Sequence, residues 1–318
     1  MTSTPSPNMP QFDLDTIARM GTRELFFPPP QEILPGATSF LHLPFAMIPG
    51  YRMLRLDLHI PHGATEPLPV VVYASGGAWT MVMTHHGPWT FLTTAGYAVA
   101  VVEYRVSGEA TYPAPLHDMK GAIRWLRANA STHNLDPARI AGWGSSAGAY
   151  LVSMLAVTNG RPEFEGDVGG NLEQSSSVVA ALDHYGPSDL AALAEDTNSV
   201  PGVMELMGTA TSPETRLLGY VPRERPQEAA RANPAAYASS ETVPFLIMHG
   251  DADTRVGIGQ SRRLHRALRD AGADVTFHVV PGANHAGPEF FSREANSRVV
   301  EFLERTVNRR PASSQPSR

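Results

Sequence analysis

The 318-residue sequence contains no cysteine, which excludes a disulfide framework, a thiolate nucleophile and any zinc site built on sulfur. Long apolar runs are missing as well. No stretch approaches the roughly 20 residues that cross a bilayer, so no membrane span is expected. The N-terminal residues lack a basic stretch followed by an apolar core, so no signal peptide is expected and the default location is the cytoplasm. Basic charge is scarce: 25 Lys and Arg stand against 31 Asp and Glu, a net charge of −6. Without clustered cations to neutralise phosphates, nucleic acid is not an expected partner. There is no H-E-x-x-H, and His85 and His86 have no further ligands at metal spacing. The GDVGG segment does not follow a strand as a dinucleotide fingerprint would, so neither a metal nor a cofactor is expected.

What remains is ordinary for a globular chain, with 42% hydrophobic and 18% charged residues. Residues 1–12 and 309–318 are rich in Ser, Pro and Arg with nothing to bury, and are expected to be disordered. Between them, over 13–308, short Val- and Ile-rich runs alternate with segments of helical period. This is the pattern of an α/β protein with a mostly parallel central sheet flanked by helices. LPVVVYA and YAVAVVEY show no polar alternation, as expected of strands covered on both faces. Leu116, Met119, Ile123, Leu126 and Ala130 recur at helical spacing and mark a crossover helix. VVAALDHYG, VPFLIMHG and VTFHVV read as later strands. Ala295, Val299, Phe302 and Leu303 form one face of a closing helix, and the segment from 40 to 61 alternates like an antiparallel hairpin. Residues from about 188 to 240 carry helical pieces without a buried strand, the composition of a small helical cap insertion.

The stretch GWGSSAG lies between a predicted strand and a predicted helix. A serine hydroxyl is a weak nucleophile, and a tight strand-to-helix turn flanked by small residues lifts it clear of the sheet; here Gly144 and Gly148 flank Ser146. Such a serine needs a base, and the base an orienting acid, both just past strand ends. His285 follows the last predicted strand directly. His249 reads as a packed residue at the end of its run, His265 and His278 sit inside a helix and a strand, and His184 is a minor alternative. For the acid, Asp251 and Asp253 compete in HGDADTRV, with Asp189 a third choice; one of the first two is expected to be a turn former. In SGGAW the amides of Gly77 and Ala78, with that of Ala147, can form an oxyanion hole. Trp79 is a candidate substrate-binding residue, and Met81 and Met83 could line an acyl pocket. Asp118, on the crossover helix, reads as a structural or surface residue.

With these pieces in order, the sequence resembles the α/β-hydrolase superfamily, and within it the acetyl, xylan and feruloyl esterase-like carboxylesterases related to the hormone-sensitive lipase group. The resemblance runs from about residue 50 to 305, through VVVYASGGAW, VVEYRVS, IAGWGSSAG, HYGPSD, PFLIMHGDADTRV and PGANH. It implies a serine carboxylesterase with a Ser146–Asp253–His285 triad acting on a small-molecule ester, and it moves the acid from Asp251 to Asp253. It also leaves two departures: Ser75 stands where relatives carry a histidine in the oxyanion loop, and Ser145 precedes the nucleophile where the lipase branch has Asp or Thr. An amidase or arylformamidase of the same fold would share every one of these residues, and a non-catalytic receptor of this fold would tend to lose one. Nothing in the sequence sets the oligomeric state, a homodimer included.

Overall fold

A computed structural model describes residues 28–49, 52–85, 87–198 and 207–308. The expected disordered ends, His86 and part of the cap segment lie outside them. Among the described residues nine strands form one sheet: β1 (Gln31–Leu34), β2 (Ala37–Met47), β3 (Met53–Pro61), β4 (Leu68–Ala74), β5 (Ala98–Val102), β6 (Leu135–Ser145), β7 (Ala181–His184), β8 (Phe245–Gly250) and β9 (Val275–Val280). Their spatial order is β1-β2-β3-β5-β4-β6-β7-β8-β9. The first three strands pair antiparallel and β3 joins β5 antiparallel, while β5, β4 and β6 through β9 run parallel. The 40–61 segment is the expected antiparallel pair, β2 and β3. β1 has no apolar alternation to announce it; three of its four residues are exposed.

The parallel strands are apolar throughout because both faces are covered. Val70, Val72 and Ala74 of β4 join one cluster, with Leu116, Met119 and Ile123 of helix α1 (Ala114–Ala128) and Leu151, Val152 and Leu155 of α2 (Ala147–Val157). Val71 and Tyr73 face the opposite cluster, with Trp143 and the expected residues Ala295, Val299, Phe302 and Leu303. Between β7 and β8, the described residues form short helices: α3 (Leu193–Asn198), α4 (Pro213–Leu218) and α5 (Pro226–Ala229), with 3-10 turns between. Two further helices, α6 (Gly259–Asp270) and α7 (Arg293–Thr306), follow β8 and β9. Gly272, with φ +84°, ends the turn after α6. Among the described residues no helix is long and apolar enough to cross a membrane.

β4 is the point where the winding reverses, since its sequence successor β5 lies on one side and β6 on the other. Open α/β sheets bind ligands outside the carboxyl ends of strands at such a point. The loops after β4 and β6 begin there.

Asp118 is neither on the surface nor idle. It is fully buried in α1, and its carboxylate accepts from the Arg105 backbone N–H (2.8 Å) and from Arg105 Nε (3.0 Å) and Nη2 (2.7 Å). The pair ties the chain leaving β5 to the crossover helix. Burial works to raise the Asp118 carboxyl and exceeds the opposing pull of Arg105, so desolvation is the main cost at this site. Removing one partner strands the other, so Asp118→Ala should lose about 3–5 kcal/mol, read as a fall in melting temperature on the order of 10 °C.

Candidate active site

Ser146 sits between β6 and α2 with φ 54° and ψ −121°, a conformation costly for a side-chain-bearing residue. Two close contacts hold it there. A Cβ on Gly144 would lie 2.4 Å from the Gly148 backbone, and one on Gly148 would lie 2.1 Å from the Ala74 carbonyl oxygen. Only glycine at both positions lets α2 start this close to β6 and β4. The Ser146 N–H donates to the His184 carbonyl (2.8 Å), fixing the turn to the end of β7. Ser145 points away: its buried Oγ accepts from Tyr73 OH (2.9 Å) on the far side of the strand.

His285 Nε2 lies 2.9 Å from Ser146 Oγ, and its Nδ1 lies 2.7 Å from Asp253 Oδ2. Burial works to raise the Asp253 carboxyl, but the imidazoles of His249 and His285 outweigh it and hold that carboxyl well below the usual carboxylate range. An ionised carboxylate only accepts, so Nδ1 carries the proton and Nε2 is left to accept from the serine hydroxyl. Asp253 Oδ1 is occupied by the Arg255 and Val256 amides (2.8 and 2.9 Å), which orients the carboxylate. The competing acids lie elsewhere. Asp189 accepts the Ala191 and Ala192 amides as a turn former, whereas Asp251 is exposed and accepts the Gly282 amide of the loop after β9; in HGDADTRV the turn-forming bonds are those of Asp253 itself, not of Asp251 as expected.

Three neighbours carried no sequence signal for this placement. The Asn284 side-chain oxygen accepts from Thr254 N, Thr254 Oγ1 and His285 N, tying the Asp253 loop to the His285 loop. Tyr185, with φ 48°, sets its ring against the His285 imidazole at 4.9 Å and 65°. His249, expected to be a packed residue, is indeed fully buried, but its Nε2 lies 3.2 Å from Asp253 Oδ2. The minor alternative, His184, is buried with neither ring nitrogen partnered among the described residues, and burial pushes its pKa down to about 3.

The loop after β4 turns over the serine. Gly77, Ala78 and Trp79 all have positive φ (133°, 53° and 56°), and the Gly77 and Ala78 amides have no acceptor among the described residues. Ala147 is the first residue of α2, and its N–H has no partner within the helix. Ser75, the residue at odds with the resembled pattern, is buried; its Oγ accepts from Met83 N (2.9 Å) and its carbonyl from Tyr104 OH (2.9 Å). A hydroxyl therefore closes this loop from inside. Trp79 is only 2% exposed; its indole N–H donates to the Ala147 carbonyl (3.1 Å) and its ring meets Tyr150 edge-on. Its largest contacts thus pin the loop to α2, although it also lines the cavity.

Ser146 and His285 open into a cavity of about 680 Å³. Ala78, Met81, Leu193 and Val256 give it apolar wall, and Glu214, Arg216 and Arg255 lie toward the segment between β7 and β8 and the Asp253 loop. Met83 is exposed and does not line it. Among the described residues no group of three or more His, Asp or Glu side chains could hold a metal ion.

Known proteins share this arrangement of sheet and loops. The BD-FAE family model matches residues 56–268, about two thirds of the chain, a span that includes Ser146 and Asp253 and stops before His285. Esterase LipQ of Mycobacterium tuberculosis is 31% identical over 78% of this chain. The match covers 58% of LipQ, so the chain spans little more than half the length of that relative. Among solved structures, a truncated carbohydrate esterase from gut microbiota superposes with a TM-score of 0.77 at 30% identity, covering 88% of this chain and all of the other. An acetyl ester-xyloside bifunctional hydrolase from Caldicellulosiruptor lactoaceticus has the same fold, with a TM-score of 0.69 at 23% identity over 86% of this chain and 98% of its own. On the strength of its sheet order, its serine turn and these matches, the chain belongs to the BD-FAE family and has the α/β-hydrolase fold.

Proposed function

We propose that the protein is a serine carboxylesterase that hydrolyses short-chain or small-alcohol carboxylic esters through an acyl-enzyme. The observation that carries this reading is the unbroken run Ser146 Oγ, His285 Nε2, His285 Nδ1, Asp253 Oδ2, with steps of 2.9 and 2.7 Å, opening into a cavity. Relatives named as esterases support the ester as substrate.

In the first half-reaction Ser146 Oγ attacks the ester carbonyl as its proton passes to His285 Nε2. Asp253 keeps the imidazole in the tautomer with Nδ1 protonated and stabilises the imidazolium that forms. The developing oxyanion is received by the amides of Gly77, Ala78 and Ala147, which need no reorganisation to meet it. His285 then returns its proton to the departing alcohol. In the second half-reaction water takes the place of Ser146, with His285 again as base, and the acid is released.

Ser146→Ala should lower turnover of 4-nitrophenyl acetate by a factor on the order of 10⁶ and abolish labelling by a fluorophosphonate; retained turnover would sink the assignment. Side-by-side rates on matched ester and amide substrates test the ester preference. At Gly77 an added Cβ would lie 2.4 Å from the Met81 carbonyl oxygen, at a φ of +133°. Gly77→Ala should therefore displace the loop and cost roughly 10²- to 10³-fold in kcat, the loss of one oxyanion donor.

A further inference from the structure

His249 is the penultimate residue of β8, four residues before Asp253, with no exposed surface. Its two ring nitrogens are both engaged. Nε2 lies 2.8 Å from the Val256 carbonyl oxygen, and Nδ1 lies 2.6 Å from Ser261 Oγ on α6. A carbonyl can only accept, so Nε2 carries a proton; in the neutral ring Nδ1 must then accept, and the Ser261 hydroxyl donates to it. The Val256 carbonyl thereby sets the tautomer, and the Ser261 hydroxyl satisfies the remaining nitrogen. The Nε2–H points along the Val256 carbonyl, while Asp253 Oδ2 stands beside it at 3.2 Å, off the N–H axis.

The backbone of Val256 is therefore held on both of its peptide groups. Its C=O is taken by His249, and its N–H donates to Asp253 Oδ1 (2.9 Å). Oδ2 lies between two imidazoles, His285 Nδ1 at 2.7 Å and His249 Nε2 at 3.2 Å. We propose that His249 is a positioning residue for the ester hydrolysis: it anchors the Val256 backbone, whose N–H orients Asp253, and the positive edge of its ring lies against Oδ2, so that this oxygen stays aimed at His285. The proposal rests on the triad reading above.

Its consequence reaches His285 through Asp253. Without the His249 N–H beside it, the carboxylate is less satisfied and attracts the His285 imidazolium more strongly. His285 then keeps its proton to higher pH, and the acidic limb of kcat/KM moves upward. The other groups facing this assembly are fixed by partners of their own. Asp183 on β7, the carboxylate on the neighbouring strand, is held by Ser153 Oγ (2.7 Å) and the Gly186 amide (2.8 Å). Tyr185 meets His285 through its ring. The Arg255 amide donates to Oδ1 while its side chain is exposed.

The experiment compares His249→Phe, His249→Gln and Ser261→Ala with the wild-type chain. It measures kcat, KM and the pH profile on 4-nitrophenyl acetate, together with the melting temperature. His249→Phe keeps a ring but no donor, and should lose about 10- to 100-fold in kcat, as expected for a lost interaction with a charged group. KM should stay near the wild-type value and the acidic limb should move up by on the order of half a unit or more. Glutamine can place an amide N–H near the Nε2 position, so His249→Gln should recover most of that kcat and return the limb. Ser261→Ala keeps the imidazole but leaves its Nδ1 without the partner that holds the ring in place, and should show a smaller shift in the same direction; this variant carries the test if the phenylalanine does not fold. The proposal is overturned if folded His249→Phe keeps wild-type kcat and limb, or if the glutamine and phenylalanine variants lose activity equally, in step with melting temperature, with the limb unmoved. Failure of the triad reading looks different, since turnover would then survive in Ser146→Ala.

Discussion

The seat of Gly148 against the carbonyl oxygen of Ala74 is the constraint on which the site depends. With no side chain at that position, the first turn of α2 drops onto the end of β4 and leaves the serine turn directly beneath the loop that β4 feeds. Gly144 does the same for β6. With any side chain at either residue, Ser146 and the amides of Gly77 and Ala78 would move apart. Catalysis of acyl transfer asks for a nucleophile and oxyanion donors about 3 Å from one reacting carbon. Here two glycines and a strained serine bring the candidates for both roles together.

From that contact the rest of the site is assembled by loops tied to one another rather than by one rigid element. Asn284 links the Asp253 loop to the His285 loop, and His249 with Ser261 links the Asp253 loop back to β8 and α6. On the other side, Ser75 and Trp79 fasten the turn over the serine, one from inside the loop and one onto α2. The His249, Ser261 and Trp79 ties are buried, where an unpaired group costs more than the bond itself contributes, while the Asn284 ties lie at the surface. The loops therefore have few alternative arrangements of comparable energy, which suits a site that must be organised before substrate arrives.

Much of this was legible in the sequence. Unbroken runs such as VVVYA announced strands covered on both faces, and the stripe from Leu116 to Leu126 announced the crossover helix. The serine turn was legible because its glycines and its place between a strand and a helix are local properties. β1 was not: QEIL is an exposed edge strand and carries no alternation. His249 was read only as packed because its contact with Asp253 depends on how the loop after β8 folds back. Trp79 was read as a substrate residue, and it does line the cavity, but its indole bond to Ala147 and its edge-on contact with Tyr150 had no trace in the sequence. Ser75 could not be interpreted from the sequence, because its function lies in a hydrogen bond to an amide eight residues on. Such side-chain-to-backbone ties leave no periodic trace.

The chain positions of the three triad candidates have a thermal corollary. His285 is 139 residues from Ser146 and rides on the loop after β9, which among the described residues is the outermost strand on its side of the sheet and pairs only with β8. Edge elements open at lower free energy than the strands between them. The imidazole can thus be withdrawn by fraying of one border while β4, β6 and their helices remain intact. The proposed ester turnover is in this respect a gauge of the sheet's margin rather than of its centre, and warming should silence Ser146 before the core melts.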